Sequence, residues 1–376
     1  MEKVRVIEAQ IEKNLFQGKV ILLLGARRVG KTTLSKRILS KHSSSKYINC
    51  ELLQNKTVLE TTNTEVLKKF LGEFKLIVLD EAQNIINIGQ ILKVLNDTFP
   101  EMQIIATGSS SFDIMNNAAE PLTGRSRIFI LYPFSLEEVK QQNDWLTLNA
   151  KIGHMLRFGL YPEVFDKPDD YAIEELNNIA SNYLYKDILQ FERLKRSDLI
   201  INLLRALAFQ VGNEVSFGEL AKLLGENVHT VKRYIELLEK SYVIYRLKSY
   251  SKNLRNEIAH GQKIYFLDLG IRNSIIQNFN PLELRDDVGA IWENFCVIER
   301  IKFHFAHRRF VNFWFWRNYE QKEIDLIEEF GGELHTYEFK YNPKKKNIKM
   351  PASFAKTYQV HTLEIINTDN FYKVIE

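Results

Sequence analysis

A run near the start of the chain has the residue types and spacing needed to hold a polyphosphate. Gly25-Ala26-Arg27-Arg28-Val29-Gly30-Lys31-Thr32 fits G-x-x-x-x-G-K-[ST], a pattern whose glycines let backbone N–H groups wrap phosphate oxygens. It follows the aliphatic run Val20–Leu24 and precedes a helical pattern from Lys31 to Lys41, so a helix N-terminus adds partial positive charge to the loop. Gly25, Arg28, Gly30, Lys31, Thr32 and Thr33 form the expected nucleotide-contact set. Within it Lys31 reaches the β- and γ-phosphates and the Thr32 hydroxyl ligates Mg²⁺. The expected cofactors are ATP and Mg²⁺.

Farther on, Leu76-Ile77-Val78-Leu79-Asp80-Glu81 is an apolar strand ending in two acids. Asp80 is expected in the Mg²⁺ shell, and Glu81 is expected to polarise the attacking water. Another apolar run, Ile104-Ile105-Ala106, ends in Thr107-Gly108-Ser109-Ser110-Ser111. Thr107 or Ser109 could sense the γ-phosphate or orient water, and a Ser-rich turn capping the next helix accounts for the same residues. Arg125 is the candidate finger for transition-state charge, acting in cis or in trans, with a surface arginine as the alternative. A finger acting in trans implies a homo-oligomer.

The phosphate loop, the Asp80-Glu81 strand end, Thr107-Gly108-Ser109 and Gly124-Arg125 together resemble the AAA-superfamily ATPases of bacteria and archaea. Within that superfamily the chain is similar to a prokaryotic family whose ATPase precedes a C-terminal domain of unknown function. The resemblance extends to Phe158-Gly159-Leu160-Tyr161-Pro162, Tyr265-Phe266-Leu267-Asp268-Leu269-Gly270 and Gly289-Ala290-Ile291-Trp292-Glu293-Asn294-Phe295, and so spans nearly the whole chain.

A second constellation lies near the C-terminus. Glu323-Ile324-Asp325-Leu326-Ile327 reads as a strand beginning with an acid, and His335–Tyr341 as another. Strand periodicity puts Glu338 and Lys340 on one face and Phe339 on the other. Carboxylates on neighbouring strands with a lysine could hold Mg²⁺ or Mn²⁺ and orient a water for phosphodiester cleavage. The ordered set Glu293, Asp325, Glu338 and Lys340 resembles the PD-(D/E)XK nuclease superfamily, with Ile324 in place of the motif's proline. The resemblance implies Asp325 and Glu338 as metal ligands, joined by Glu293 and Lys340. Phe313, Trp314, Phe315 and Trp316 read as packing for both faces of a strand, with base stacking as the lesser alternative.

Between the two lies a segment with helix-turn-helix form. Ser216-Phe217-Gly218-Glu219 can cap a helix that stops at Gly225, and Asn227 can cap a second whose apolar face is Val228, Val231, Ile235 and Leu238. Tyr242–Leu247 follows as a strand, giving a winged-helix pattern over about residues 213–250. His229, Lys232 and Arg233 are its candidate DNA contacts; a packing or relay module is the other reading, since Glu236 and Glu239 share the helix.

The elements that must position these groups fall into three parts. Strands alternating with helices over residues 1–149 imply an α/β P-loop domain on a doubly wound parallel sheet. Residues 150–285 read mostly helical, with segments Ile173–Leu194 and Asp198–Val211, and 286–376 read as an α/β nuclease-like domain. The 376 residues carry a net charge of +4, divided as +3, +2 and −1 over residues 1–150, 151–285 and 286–376. No part is a strong polyanion magnet by composition, so nucleic-acid contact depends on local patches. Two cysteines make no disulfide or zinc framework, and no apolar run is long enough to span a bilayer. The expectation is a cytoplasmic ATPase acting as a switch on DNA with a possible nuclease module. A nucleotide-controlled regulatory or protein-binding switch with an inert nuclease-like fold is the alternative.

Overall fold

The computed structural model describes residues 3–61, 63–109, 122–184, 197–251, 261–345 and 348–376. Ser110 and Ser111 and residues 185–194 of the expected long helix lie outside the described residues. The chain divides into two compact units, Met1–Phe134 with Lys240–Tyr242, and Ser135–Glu239 with Val243–Glu376.

In the first unit, Val20–Leu24 (β1), Leu76–Asp80 (β3) and Gln103–Gly108 (β4) are buried along their whole length. Strands apolar on both faces must be covered on both, which suits a parallel sheet with helical crossovers. Ser45–Asn49 (β2) and Ser126–Ile130 (β5) form the edges, giving the all-parallel order β2-β3-β4-β1-β5. One face of β1, through Val20, Leu22 and Leu24, joins a core with Leu67 and Leu71 of Thr64–Leu71 (α4) and Leu92 and Leu95 of Ile88–Thr98 (α5). Lys31–Ser40 (α2) packs against β2, β3 and β4. Val6–Lys13 (α1) packs on α2, and Leu53–Leu59 (α3) on α4. Because β4 lies between β1 and β3, the end of β4 stands between the phosphate loop and the acids after β3.

The second unit opens with Leu136–Lys140 (α6), started by a complete capping box between Ser135 and Glu138. Helices Trp145–Phe158 (α7), Asp169–Asn178 (α8) and Ser197–Phe209 (α9) follow. The helix expected from Ile173 begins earlier, at Asp169, and widens into a π-helical turn over Ile179–Leu184. Phe217–Leu224 (α10) is capped by Ser216 and ends on Gly225 at φ 64°; Asn227 Oδ1 accepts from Thr230 N at the start of Val228–Lys240 (α11). On α11, Val231, Ile235 and Leu238 are buried as expected, whereas Val228, in the first turn, is 37% exposed.

Strands Glu214–Val215 (β6), Ile244–Ser249 (β7) and Gln262–Phe266 (β8) make an antiparallel ribbon around that helix pair. It does not end there: β7 pairs in parallel with Asn312–Arg317 (β9), which continues through Glu323–Phe330 (β10) and Glu333–Phe339 (β11) to Thr362–Ile366 (β12). The result is one seven-stranded sheet, β12-β11-β10-β9-β7-β8-β6. The division expected at 285/286 therefore crosses a continuous sheet. The cause is the hydrogen-bonding edge of β7, which β9 occupies. Leu269–Ile275 (α12), Val288–Ala306 (α13) and Ala352–Thr357 (α14) complete the unit.

Three segments singled out in the sequence meet here. Asp268 accepts from Leu160 N at 2.7 Å, and Asn294 exchanges two 2.8 Å bonds with the backbone of Phe266. A Cβ on Gly159 would stand 2.1 Å from Asp268 Oδ1, and one on Gly270 2.2 Å from Phe158 O, so both glycines are required by close approach.

Candidate functional site

The phosphate loop spans residues 25–30 between β1 and α2. Gly25 lies so close to β5 that a Cβ would stand 2.1 Å from the Leu131 carbonyl oxygen. Gly30 is the N-cap of α2 at φ 95°, with no side-chain cap and no acid in the first turn, so the positive end of the helix faces the loop without an acid of its own turn. Lys31 is buried and its Nζ donates to the Gly25 and Ala26 carbonyls at 3.0 and 2.8 Å. Arg28 adopts φ 62°, and Thr33 is exposed in the first turn of α2.

Below the loop the expected partners converge on Asp80. Thr32 Oγ1 donates to Asp80 Oδ2 at 2.8 Å, and Thr107 Oγ1 donates to Asp80 Oδ1 at 2.6 Å. Tyr47 OH, on β2, also donates to Oδ2. Burial lifts the Tyr47 phenol far above its usual range, and the adjacent carboxylate lifts it further. Thr107 is fully buried and its hydroxyl also accepts from Glu81 N at 3.0 Å, so this side chain ties β3 to β4. Glu81 is held at φ 54°, and Gln83 Nε2 donates to both Glu81 Oε2 and Ser109 Oγ. A non-glycine residue in the left-handed region costs about 1–3 kcal/mol and persists where its surroundings fix it.

Two of these groups carried no sequence signal. Gln83 sits in a 3₁₀ turn without a motif. Arg5, ahead of α1, is 8% exposed and donates to the Val29 and Tyr132 carbonyls, bracing the loop from outside its own pattern. The candidate finger lies elsewhere. Arg125 precedes β5 at the N-terminal edge of the sheet, where Val20 N bonds to its carbonyl, and its Nε donates to Asp97 at 2.7 Å. Five residues of strand, roughly 17 Å, separate that edge from the loop. Arg125 thus stands away from the phosphate loop of its own chain, in an exposed pair with Asp97, a placement that suits the trans and surface-arginine readings better than a finger in cis.

In the second unit, Glu293 on α13, Glu323 and Asp325 on β10 each offer an oxygen within 4.8 Å of the others. Glu338 was expected beside Asp325 as a ligand. Instead Lys340 Nζ lies between them, 2.9 Å from Asp325 Oδ2 and 2.8 Å from Glu338 Oε2. The cluster also gains a cation that the sequence had not assigned to it. Lys263 of β8, only 1% exposed, bonds Glu293 Oε1 at 2.8 Å and reaches Glu323, and Tyr265 OH adds a 2.6 Å bond to Glu293. Asp325 sits in a β-bulge, where the register against β9 shifts between Ile324 and Ile327. The extra residue changes side-chain parity. Ile324 and Ile327, three apart, enter the same apolar cluster with Trp316 and Phe354, while Glu328 faces Arg300 of α13.

Burial and the nearby Asp325 charge push Glu293 up to about 7; the same two causes push Glu338 up to about 7. For Lys263 and Lys340, burial favours the neutral amine, but the surrounding carboxylates prevail and raise both above the usual lysine range. An all-oxygen set of clustered carboxylates fits a hard divalent cation such as Mg²⁺ or Mn²⁺. Phe315 and Trp316 are buried, in agreement with the packing reading of β9.

On α11, His229, Lys232 and Arg233 are exposed, and Lys232 Nζ lies 5.8 Å from the Phe217 ring. No helix among the described residues is long and apolar enough to cross a membrane.

Comparison with known proteins agrees with the first of these sites. Residues 149–282 and 288–374 match two domain families of unknown function. An uncharacterised protein of Mycobacterium tuberculosis is 27% identical over 336 residues, covering 88% of this chain and 72% of its own. One from Methanocaldococcus jannaschii is 25% identical, covering 99% and 88%. Among solved structures, Drosophila ORC bound to GC-rich DNA and Cdc6 aligns with 72% of this chain and 92% of its own at 10% identity. Its TM-score of 0.24 is too low to carry a functional argument. Residues 17–140 match the family model of an AAA domain. With the parallel sheet and the loop geometry, this makes the first unit a P-loop domain of the AAA ATPase type.

Proposed function

We propose that the protein is an ATP-hydrolysing switch that acts on DNA and carries a metal-dependent nuclease module. The observation that carries the ATPase part is the hydrogen-bonded row Thr32–Asp80–Thr107, which joins the loop helix to the ends of β3 and β4. Mg²⁺ held at Thr32 and Asp80 supplies charge neutralisation at the phosphates. Lys31 leaves the Gly25 and Ala26 carbonyls for the phosphates, and Glu81, oriented by Gln83, takes the proton of the attacking water. Thr107 holds Asp80 and the Glu81 amide, so its role is positioning; Ser109, on the far side of Gln83, is the nearer candidate for sensing the γ-phosphate. Arg125 serves a neighbouring subunit.

In the second unit, α10, α11 and the β6–β8 ribbon support a winged-helix reading, with His229, Lys232 and Arg233 facing DNA. Glu293, Glu323 and Asp325 would hold Mg²⁺ or Mn²⁺, with Glu338 and Lys340 beside them. One observation favours the alternative of an inert nuclease-like fold in a regulatory switch: Lys263 and Lys340 already pair with all four carboxylates. The test is ATP hydrolysis and metal-dependent cleavage measured together on single-stranded, duplex and branched DNA. Lys31→Ala should silence the first and Asp325→Ala the second. ATP turnover without cleavage on any substrate supports the inert fold, and absence of ATP turnover in the wild type refutes the switch as an ATPase.

A further inference from the structure

A second cluster of metal-ligating side chains lies at the start of β11. Glu333, His335 and His361 each offer one ligand atom, and the three atoms lie within 4.8 Å of one another. Glu333 and His335 are two apart on the strand and so share a face. The parallel pairing of β12, which begins at His335↔Thr362, brings His361 alongside, and the His361 amide donates to Leu334 O at 2.8 Å. The start of β11 is some five residues, roughly 17 Å, from Glu338 at its other end, so this cluster is separate from the carboxylate site.

The ligand atoms are close to the spacing that one ion needs. His335 Nε2 is 3.4 Å from Glu333 Oε2, and His361 Nδ1 is 3.8 Å from Glu333 Oε1. A tetrahedral Zn²⁺ with bonds of about 2.0–2.1 Å sets its ligands about 3.3–3.4 Å apart. The tautomer is also prepared. His335 Nδ1 stands 3.1 Å from Thr362 Oγ1, and an N–H donated there leaves the Nε2 lone pair facing Glu333 and His361. That Nε2 is buried and makes no hydrogen bond among the described residues. Stacking on Phe330, with ring centroids 4.7 Å apart and planes 9° apart, fixes the ring's orientation.

We propose that Glu333, His335 and His361 bind a borderline divalent transition cation, Zn²⁺ foremost, with water completing the coordination. Two imidazoles and a carboxylate select such an ion over Mg²⁺. The bound ion ties residue 361 to β11 and fixes β12, the outermost strand of the sheet. The test uses the full chain stripped by chelator and titrated with Co²⁺, then Zn²⁺, in excess Mg²⁺. One Co²⁺ per chain is expected, with ligand-field bands that Zn²⁺ abolishes. His361 is an exposed residue, so His361→Ala should fold normally, and it should weaken binding by about 100-fold or more. Thr362→Val, which removes only the orienting hydroxyl, should weaken it about 10-fold. Asp325→Ala should leave it unchanged. Absence of a Co²⁺ spectrum in the wild type, an unchanged spectrum in His361→Ala, or its loss in Asp325→Ala would overturn the proposal.

Discussion

The carboxylate cluster makes the stability of the second unit depend on pH in a direction opposite to ordinary acid lability. Glu293 rises from an unfolded value near 4.5 to about 7 in the folded, metal-free protein. A raised acid contributes stability that is fully present below about 4.5 and is lost as pH climbs through 7. At 1.36 kcal/mol per pKa unit the whole effect is about 3 kcal/mol, of which about 2 kcal/mol falls between pH 5.5 and 8.5. Glu338 behaves alike but shares the Asp325 charge, so the two effects sum to less than twice one of them. The chain's four tryptophans are Trp145, Trp292, Trp314 and Trp316, all in the second unit. Their fluorescence during thermal unfolding therefore reports this unit. Metal-free wild type should melt roughly 5 °C or more higher at pH 5.5 than at 8.5. Glu293→Gln should remove its own share of that difference and leave that of Glu338, and Mg²⁺ or Mn²⁺ should raise the melting point more at pH 8.5 than at 5.5. Below about pH 4.5 the trend reverses at Glu328. Burial alone would raise that residue, but its bonds from His304 and Arg300 pull it down to about 2. A melting point that rises with pH from 5.5 to 8.5, or is as steep in Glu293→Gln as in wild type, would refute the reasoning.

Three other outcomes follow from the geometry. Arg125→Ala should leave ATP binding intact and lower turnover about 10³-fold. Mixing it with Lys31→Ala subunits should restore part of that rate, and steady-state hydrolysis would show it. Thr107→Val strips Asp80 and the Glu81 amide of a buried partner, so urea unfolding should show a loss of about 2 kcal/mol together with slower turnover. If α11 lies against DNA, Lys232→Ala with Arg233→Ala should lower the salt slope of binding by about 2, as measured by anisotropy over a range of salt concentrations.

The first unit was largely legible because its signals are local. Strands apolar on both faces, a loop of fixed spacing and acids at a strand end each declare themselves within a dozen residues. The edge strand β2 escaped notice because only Ile48 of its five residues is buried. Arg5 and Gln83 act through contacts that no spacing rule encodes, and Arg5 reaches across 127 residues to Tyr132. Glu323 was visible, two residues from Asp325 on one strand. Lys263 gave a fainter sign, a lone cation amid the apolar residues of Lys263-Ile264-Tyr265-Phe266, with partners 30 and 60 residues away. The bulge at Asp325 breaks strict alternation, so periodicity alone could not say which side of β10 Glu328 would face.

The sheet that runs from β6 to β12 bears on how such a protein could have been put together. Two family models treat residues 149–282 and 288–374 as separate pieces of sequence, as though each could be inherited alone. Yet a chain that acquired only the later piece would carry Glu293 and Glu323 without Lys263, and β9 without β7 beside it. Recombination at that seam would expose a strand edge and unbalance a buried charge cluster in one step. The pair is therefore expected to travel through evolution as a single heritable block, with the freer point of exchange upstream of Ser135, where the compact units divide.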